Sequence, residues 1–133
     1  MAVEKTRNGG KWTESQYRSF IISMLRKGST RWGPRNEAKK LARHPIKLPN
    51  DKGRLVYHSI CAMCDNVVPE TTASVDHIDP VVDPSIGFRG FDEYIERMYC
   101  ELEHFQVLCS PCHDNKTAGE RNIATERKRR ERT

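Results

Sequence analysis

The chain lacks any apolar stretch near the ~18 residues that a membrane helix needs, and no apolar run of signal-peptide type stands at its N-terminus. No membrane role is expected, and the sequence predicts a soluble, intracellular protein of the cytoplasm. It is also short of core-forming residues. Hydrophobic residues make up 36% of 133 positions, a thin supply for one small domain, so a staple of another kind would help it fold. Disulfides are not expected to be that staple, because paired cysteines inside cells read first as metal ligands. No internal repeat appears beyond two short cysteine knuckles.

Those knuckles are the most informative feature present. Of five cysteines, four form the CxxC pairs Cys61/Cys64 and Cys109/Cys112. A two-residue gap lets a tight turn aim both sulfurs at one ion, and four thiolates suit a tetrahedral structural Zn²⁺. Cys100 stands outside the pairs and is expected to be a buried helix residue. Zinc ribbons commonly separate their pairs by roughly 15–20 residues. Here 44 residues lie between Cys64 and Cys109, enough for strand, loop, helix and second strand. Asp76 and His77 fall inside that gap, and His113 follows the last cysteine directly, so the frame points toward catalysis.

Charge is unevenly spread. Residues 1–47 carry 12 Lys+Arg against 3 Asp+Glu, net +9, whereas residues 48–133 carry 11 against 15, net −4. Arg127, Lys128, Arg129, Arg130 and Arg132 restore basicity at the tail. Phosphate neutralisation with counterion release gives such a surface affinity for nucleic acid, and a solvated basic face explains it equally well.

Residues 1–11 read as a flexible lead-in. Thr13–Gln16 is a capping box, with Trp12 and Tyr17 at the staple positions, opening a helix that Gly28 should stop. Pro34 opens a second helix over Asn36–Arg43, and the two make a basic hairpin. Residues 44–53 read as a linker, Arg54–Ile60 as a strand, Asn66–Thr72 as a polar turn and Ala73–Ile78 as a strand. Phe91, Tyr94, Ile95, Met98 and Tyr99 recur as one helix face, which is core packing. Phe105–Leu108 is a second strand before the second knuckle. A final helix should run from about Cys112 to Arg127, with Lys116 and Glu120 paired at i, i+4. These elements predict an α+β fold: a basic N-terminal extension and linker over 1–50, a zinc-stapled domain over 51–122 and a basic tail over 123–133.

Asp76-His77-Ile78-Asp79-Pro80, followed by Phe105-Gln106-Val107-Leu108-Cys109-Ser110-Pro111-Cys112-His113-Asp114-Asn115-Lys116-Thr117, resembles the zinc-stapled form of the HNH endonucleases. That family's pattern reads DHIxP, then NxQxLCxxCHxxKT. The likeness spans about residues 54–122 and leaves the first 50 aside. It implies a small ββα-metal nuclease core, a hairpin whose first strand ends at the Asp-His step and a helix that adds the last metal ligand. By position it makes His77 the general base, and Asp76 and His113 the ligands of a catalytic divalent cation. Mg²⁺ or Mn²⁺ is the default, beside the Zn²⁺ of the four cysteines, and a ligand set containing nitrogen also admits later first-row metals. The pattern's middle asparagine, which ties the loop and helps orient the base, falls at His104. A neutral histidine donates one hydrogen bond and so keeps part of that role. The implied substrate is duplex DNA, in the setting of a bacterial or phage-infected cell. No protein partner is indicated.

The chemistry asks for the same residue types. Phosphodiester hydrolysis needs a base for water near neutral pH, and positive charge where the leaving oxygen grows negative. Neighbouring residues of a strand face opposite ways, so a bend or bulge is expected at Asp76-His77. Bland readings remain beside the sharp ones. Asp-His also fits a turn pair, His113 a packed or capping residue, His104 and His58 structural residues, and the Lys116–Glu120 pairing explains Lys116 without a phosphate. Asp79, Asp83 and Asp114 fit loop and helix-start roles. The rival function is a noncatalytic zinc-stapled module that binds nucleic acid or protein.

Overall fold

The computed structural model of the chain describes residues 2–132, so Met1 and Thr133, the ends of the predicted extension and tail, lie outside the described residues. The chain forms two compact units, Met1–Trp32 and Gly33–Thr133. Together they make a small α+β protein with four α-helices and three antiparallel strand pairs among the described residues.

In the first unit the expected flexible lead-in closes on itself. Arg7 and Trp12 exchange two backbone hydrogen bonds of 3.0 Å around a turn in which Asn8, Gly9 and Gly10 all have positive φ. Two adjacent glycines make that run of left-handed conformations accessible. Helix α1, Glu14–Ser29, follows with both halves of the capping box formed at Thr13 and Gln16. Trp12 packs on Phe20, ring centroids 5.2 Å apart, and Tyr17 receives the Arg7 guanidinium at 4.3 Å. Gly28 does not stop the helix, which runs to Ser29 and caps at Thr30.

The second unit opens with α2, Gly33–Leu41, earlier than the expected Asn36–Arg43 because Pro34 sits comfortably in its first turn. Ala38 is buried, and α2 packs on the strands Ser74–His77 and Phe105–Leu108, so it belongs to this unit while α1 belongs to the other. The predicted linker is ordered. Leu48–Pro49 (β1) pairs with Leu55–Val56 (β2), and the Asn50 side chain holds the turn by accepting from the Lys52 and Arg54 backbone N–H groups, each at 3.0 Å. The expected strand over 54–60 is broken at Tyr57, and its second half, His58–Ile60 (β3), pairs with Val67–Pro69 (β4). That second pair corrects the polar turn expected at Asn66–Thr72: Val67 and Val68 form a strand, and only Glu70–Thr72 turns, as a 3₁₀ segment.

Strand β5, Ser74–His77, pairs antiparallel with β6, Phe105–Leu108, and between them stands α3, Phe91–Met98; of its expected core face Tyr94 and Met98 are buried, whereas Ile95 at the edge of that face is exposed. Cys100 lies past the end of α3 and is half-buried, not a helix residue. The last helix, α4, spans Ser110–Glu131. It starts before Cys112, since Pro111 is tolerated in a first turn, and its described end turns the predicted tail into helix. Leu108, Cys61 and Cys109 form the tightest core, with Val68 and Cys112 packed against them. No helix among the described residues is long and apolar enough to cross a membrane.

Candidate functional site

The four-cysteine cluster is assembled from three elements. Cys61 follows β3, and Cys64 sits in the β3–β4 turn that Asp65 closes with a φ of 62°. Cys109 caps α4 and Cys112 lies in its first turn. Backbone hydrogen bonds set the turn, Cys61 N–H to Asn66 O at 2.9 Å and Asp65 N–H to Cys61 O at 3.0 Å, and Ala62 N–H to Val107 O at 2.9 Å ties it to β6. All four sulfurs lie within 4.8 Å of one another, with Cys64 and Cys109 at 3.7 Å. A tetrahedral ion with bonds of about 2.3 Å needs sulfurs about 3.8 Å apart. The cluster is thus able to hold a structural metal such as zinc.

Its electrostatics fit a cation. Burial pushes the Cys61 thiol up, but backbone N–H groups of Cys109, Cys64 and Met63 outweigh that and bring it down to about 6. Cys112 is pushed up to about 12, chiefly by its hydrogen bond with Cys109, then by burial. One thiolate forms readily and resists the next. A divalent ion removes that conflict by neutralising charge at the sulfurs.

Asp76 and His77 end β5 in regular register, Asp76 opposite Gln106 and His77 opposite Phe105. No bulge interrupts the register, the bend comes just after the strand at Ile78-Asp79, and the two side chains diverge. Asp76 accepts a 2.9 Å hydrogen bond from Gln106 Nε2, while the His77 ring stands 4.9 Å from that of Phe105. His77 Nε2 lies 2.9 Å from the Met98 carbonyl oxygen, which can only accept, so the proton belongs on Nε2 and Nδ1 carries the lone pair. The Met98 link was not legible in sequence, because the end of α3 meets β5 only in three dimensions.

Lys116 joins the same seam from α4. Its Nζ is 3.2 Å from Asp76 Oδ2 and 3.0 Å from the His77 carbonyl oxygen, and it pairs with Glu120. Burial works to lower the Lys116 pKa, yet the Glu120 hydrogen bond and the Asp76 charge prevail and raise it. The i, i+4 pairing with Glu120 was readable. The tie to Asp76, 40 positions away, was not.

His113 precedes Lys116 by three residues, so the two are neighbours on the surface of α4, and its backbone N–H donates to Cys109 O at 2.9 Å. His104 is set apart. Its side chain is 53% exposed, with Glu103 Oε1 3.9 Å from Nε2, and only its carbonyl serves β5, accepting from Ile78 N–H at 2.9 Å. The ring instead lines a cavity of about 180 Å³ with Asp79, Glu96, Arg97 and Cys100. Asp83 is a local turn former, accepting from Ser85 N–H and Oγ. His58 is buried, with Nδ1 3.0 Å from Val56 O.

Among the described residues the four cysteines are the only cluster of three or more Cys, His, Asp or Glu close enough to share an ion. A second ion at Asp76 would therefore have at most two ligands from Cys, His, Asp and Glu side chains, with other oxygens, water or substrate completing its shell. The site does accept positive charge, since the Lys116 ammonium stands at the carboxylate. Comparison with protein-family models, curated proteins and solved structures finds no match for the chain.

Proposed function

We propose that the chain is a metal-dependent HNH-type endonuclease that hydrolyses phosphodiester bonds of DNA. The observation that supports it most is the β5–α4 seam. Asp76, the His77 carbonyl and Lys116 meet there from motifs about 40 residues apart, with His113 one turn from Lys116. The order β5, β6, α4 supports this reading, since the resemblance implies a hairpin followed by a helix.

In this reading Asp76 and His113 hold Mg²⁺ or Mn²⁺, and Zn²⁺ stays at the cysteines. The catalytic ion, when bound, supplies positive charge for the leaving 3′ oxygen and a nonbridging oxygen. His77 does the proton work. With Nε2–H committed to Met98 O, its Nδ1 takes a proton from the attacking water, and the products are a 5′-phosphate and a 3′-hydroxyl. Asp76 and His77 leave opposite faces of β5 at its C-terminal end, where Lys116 of α4 donates to the His77 carbonyl. A phosphodiester reaching that strand end would meet the carboxylate on one face and the imidazole on the other. Each unit brings its own basic residues, on α1 in the first and on α2 and α4 in the second, to supply phosphate contacts, which hold a duplex without reading its bases.

The rival, a noncatalytic zinc-stapled binding module, has one observation in its favour: Lys116 already neutralises Asp76. Supercoiled plasmid separates the two. Wild type with Mg²⁺ or Mn²⁺ should convert it to nicked or linear form, chelator should stop this, and His77→Ala should lose about 10²–10⁴-fold in rate while keeping zinc and DNA binding. Equal cleavage by wild type and His77→Ala would overturn the mechanism.

A further inference from the structure

We infer that Lys116 is a resident counter-ion of Asp76 that a divalent cation must displace, with Glu120 as the acceptor that takes it up; this rests on the Asp76/His113 metal site proposed above. The ammonium lies between two carboxylates on different elements, 3.2 Å from Asp76 Oδ2 on β5 and paired with Glu120 one turn along α4. Asp76 and Lys116 are mostly buried, at 12% and 15% side-chain exposure, whereas Glu120 at 29% is nearer to water. The His77 carbonyl gives Lys116 a third partner at 3.0 Å. A buried carboxylate without a partner is costly, so in the metal-free protein Lys116 is the cation that Asp76 faces, and it fixes the carboxylate's direction.

A divalent ion at the same carboxylate and the Lys116 ammonium repel each other. Lys116 has somewhere to go, because a small side-chain rotation away from β5 keeps its bond to Glu120. It is a positioning residue: it preserves the ligand geometry when the ion is absent and weakens the ion's hold when present. A purely structural clamp between β5 and α4 would instead favour binding at every step.

The two roles predict opposite signs, readable by Mn²⁺ titration of the zinc-loaded, full-length protein, with Asp76→Asn identifying the site. Removing a unit charge about 5 Å from a dication should tighten Mn²⁺ binding about tenfold in Lys116→Met. Glu120→Gln, which leaves Lys116 more firmly on Asp76, should weaken it several-fold. In the Lys116→Met background that Glu120→Gln effect should shrink, since Glu120 acts through Lys116. Unchanged or weaker binding by Lys116→Met with zinc content and circular dichroism intact overturns the inference, as does equal or tighter binding by Glu120→Gln. If Lys116→Met does not fold, the sign for Glu120→Gln decides. Absence of Asp76-dependent Mn²⁺ binding in every folded variant also overturns it. Plasmid cleavage reports separately: a nuclease whose Mn²⁺ affinity ignores Lys116 and Glu120 loses only this inference, and a noncleaving protein with the predicted affinity shifts loses only the nuclease.

Discussion

Asp76 and His77, the candidate site residues of the second unit, are held by partners distant in sequence, and two other positions show how sharply such partnerships can be tested. Arg43 grips Glu70 with two hydrogen bonds, 2.7 and 3.1 Å, while its guanidinium lies 4.0 Å from the Tyr57 ring centre. The Arg43 hydrogen bonds hold the Glu70 carboxyl below its ordinary range despite burial. A carboxylate depressed by folding adds stability above its unfolded pKa and loses it as pH falls through the folded value. Glu70→Gln should therefore cost about 1–2 kcal/mol near neutral pH, and the gap to wild type should close as pH falls below about 4, followed by urea unfolding at several pH values. A gap that stays constant with pH would exclude the ion pair as its source. At Gly87, φ is 95° and the Arg127 guanidinium occupies the space a Cβ would take. Gly87→Ala should destabilise by about 2 kcal/mol, through strain and displacement of Arg127 together, visible as a lower urea midpoint at unchanged slope.

At the scale of elements, the knuckles do what the apolar residues are too few to do. Leu108, Cys61 and Cys109 are the tightest core, and the two cysteines sit where the β3–β4 turn, β6 and α4 converge. Metal analysis should find about one tightly held zinc per chain, and chelation should abolish cooperative unfolding in this unit. Affinity should fall on acidification, because the thiols must lose their protons to bind. A Cys61→Ser/Cys109→Ser protein that keeps wild-type stability would exclude the structural role. Elements written in local signals were legible beforehand: α1 from its capping box, α3 from its apolar face, β6 from Phe105–Leu108. Those stabilised by pairing were not. Val67-Val68-Pro69 looks like part of a polar turn until β3 lies beside it, and the 44–53 linker becomes a hairpin only because β2 returns to β1. The candidate site divides in the same way. Asp76, His77 and the four cysteines stand out by spacing, whereas Gln106, the Met98 carbonyl and the Lys116 bond to Asp76 need the register and the β5–α4 packing.

On the scale of the whole molecule, the charge asymmetry becomes a quantity to measure. The first 47 residues carry net +9 and the remainder net −4, although the described tail adds a basic end to α4. If the front of the chain grips phosphate, affinity comes largely from released counterions, and log K for duplex DNA should fall linearly with log salt. The slope counts contacts at about 0.9 per neutralised phosphate, so it separates grip from chemistry. Arg26 and Lys27 lie in the last turn of α1, with Arg31 just beyond it. Replacing these three by glutamine should reduce the slope by up to about 3 and weaken binding to unrelated sequences alike, because phosphate contacts carry no base information. Cleavage at saturating DNA should change little, since no residue of the β5–α4 seam is touched. An unchanged slope would mean that Arg26, Lys27 and Arg31 form a solvated face and make no phosphate contact.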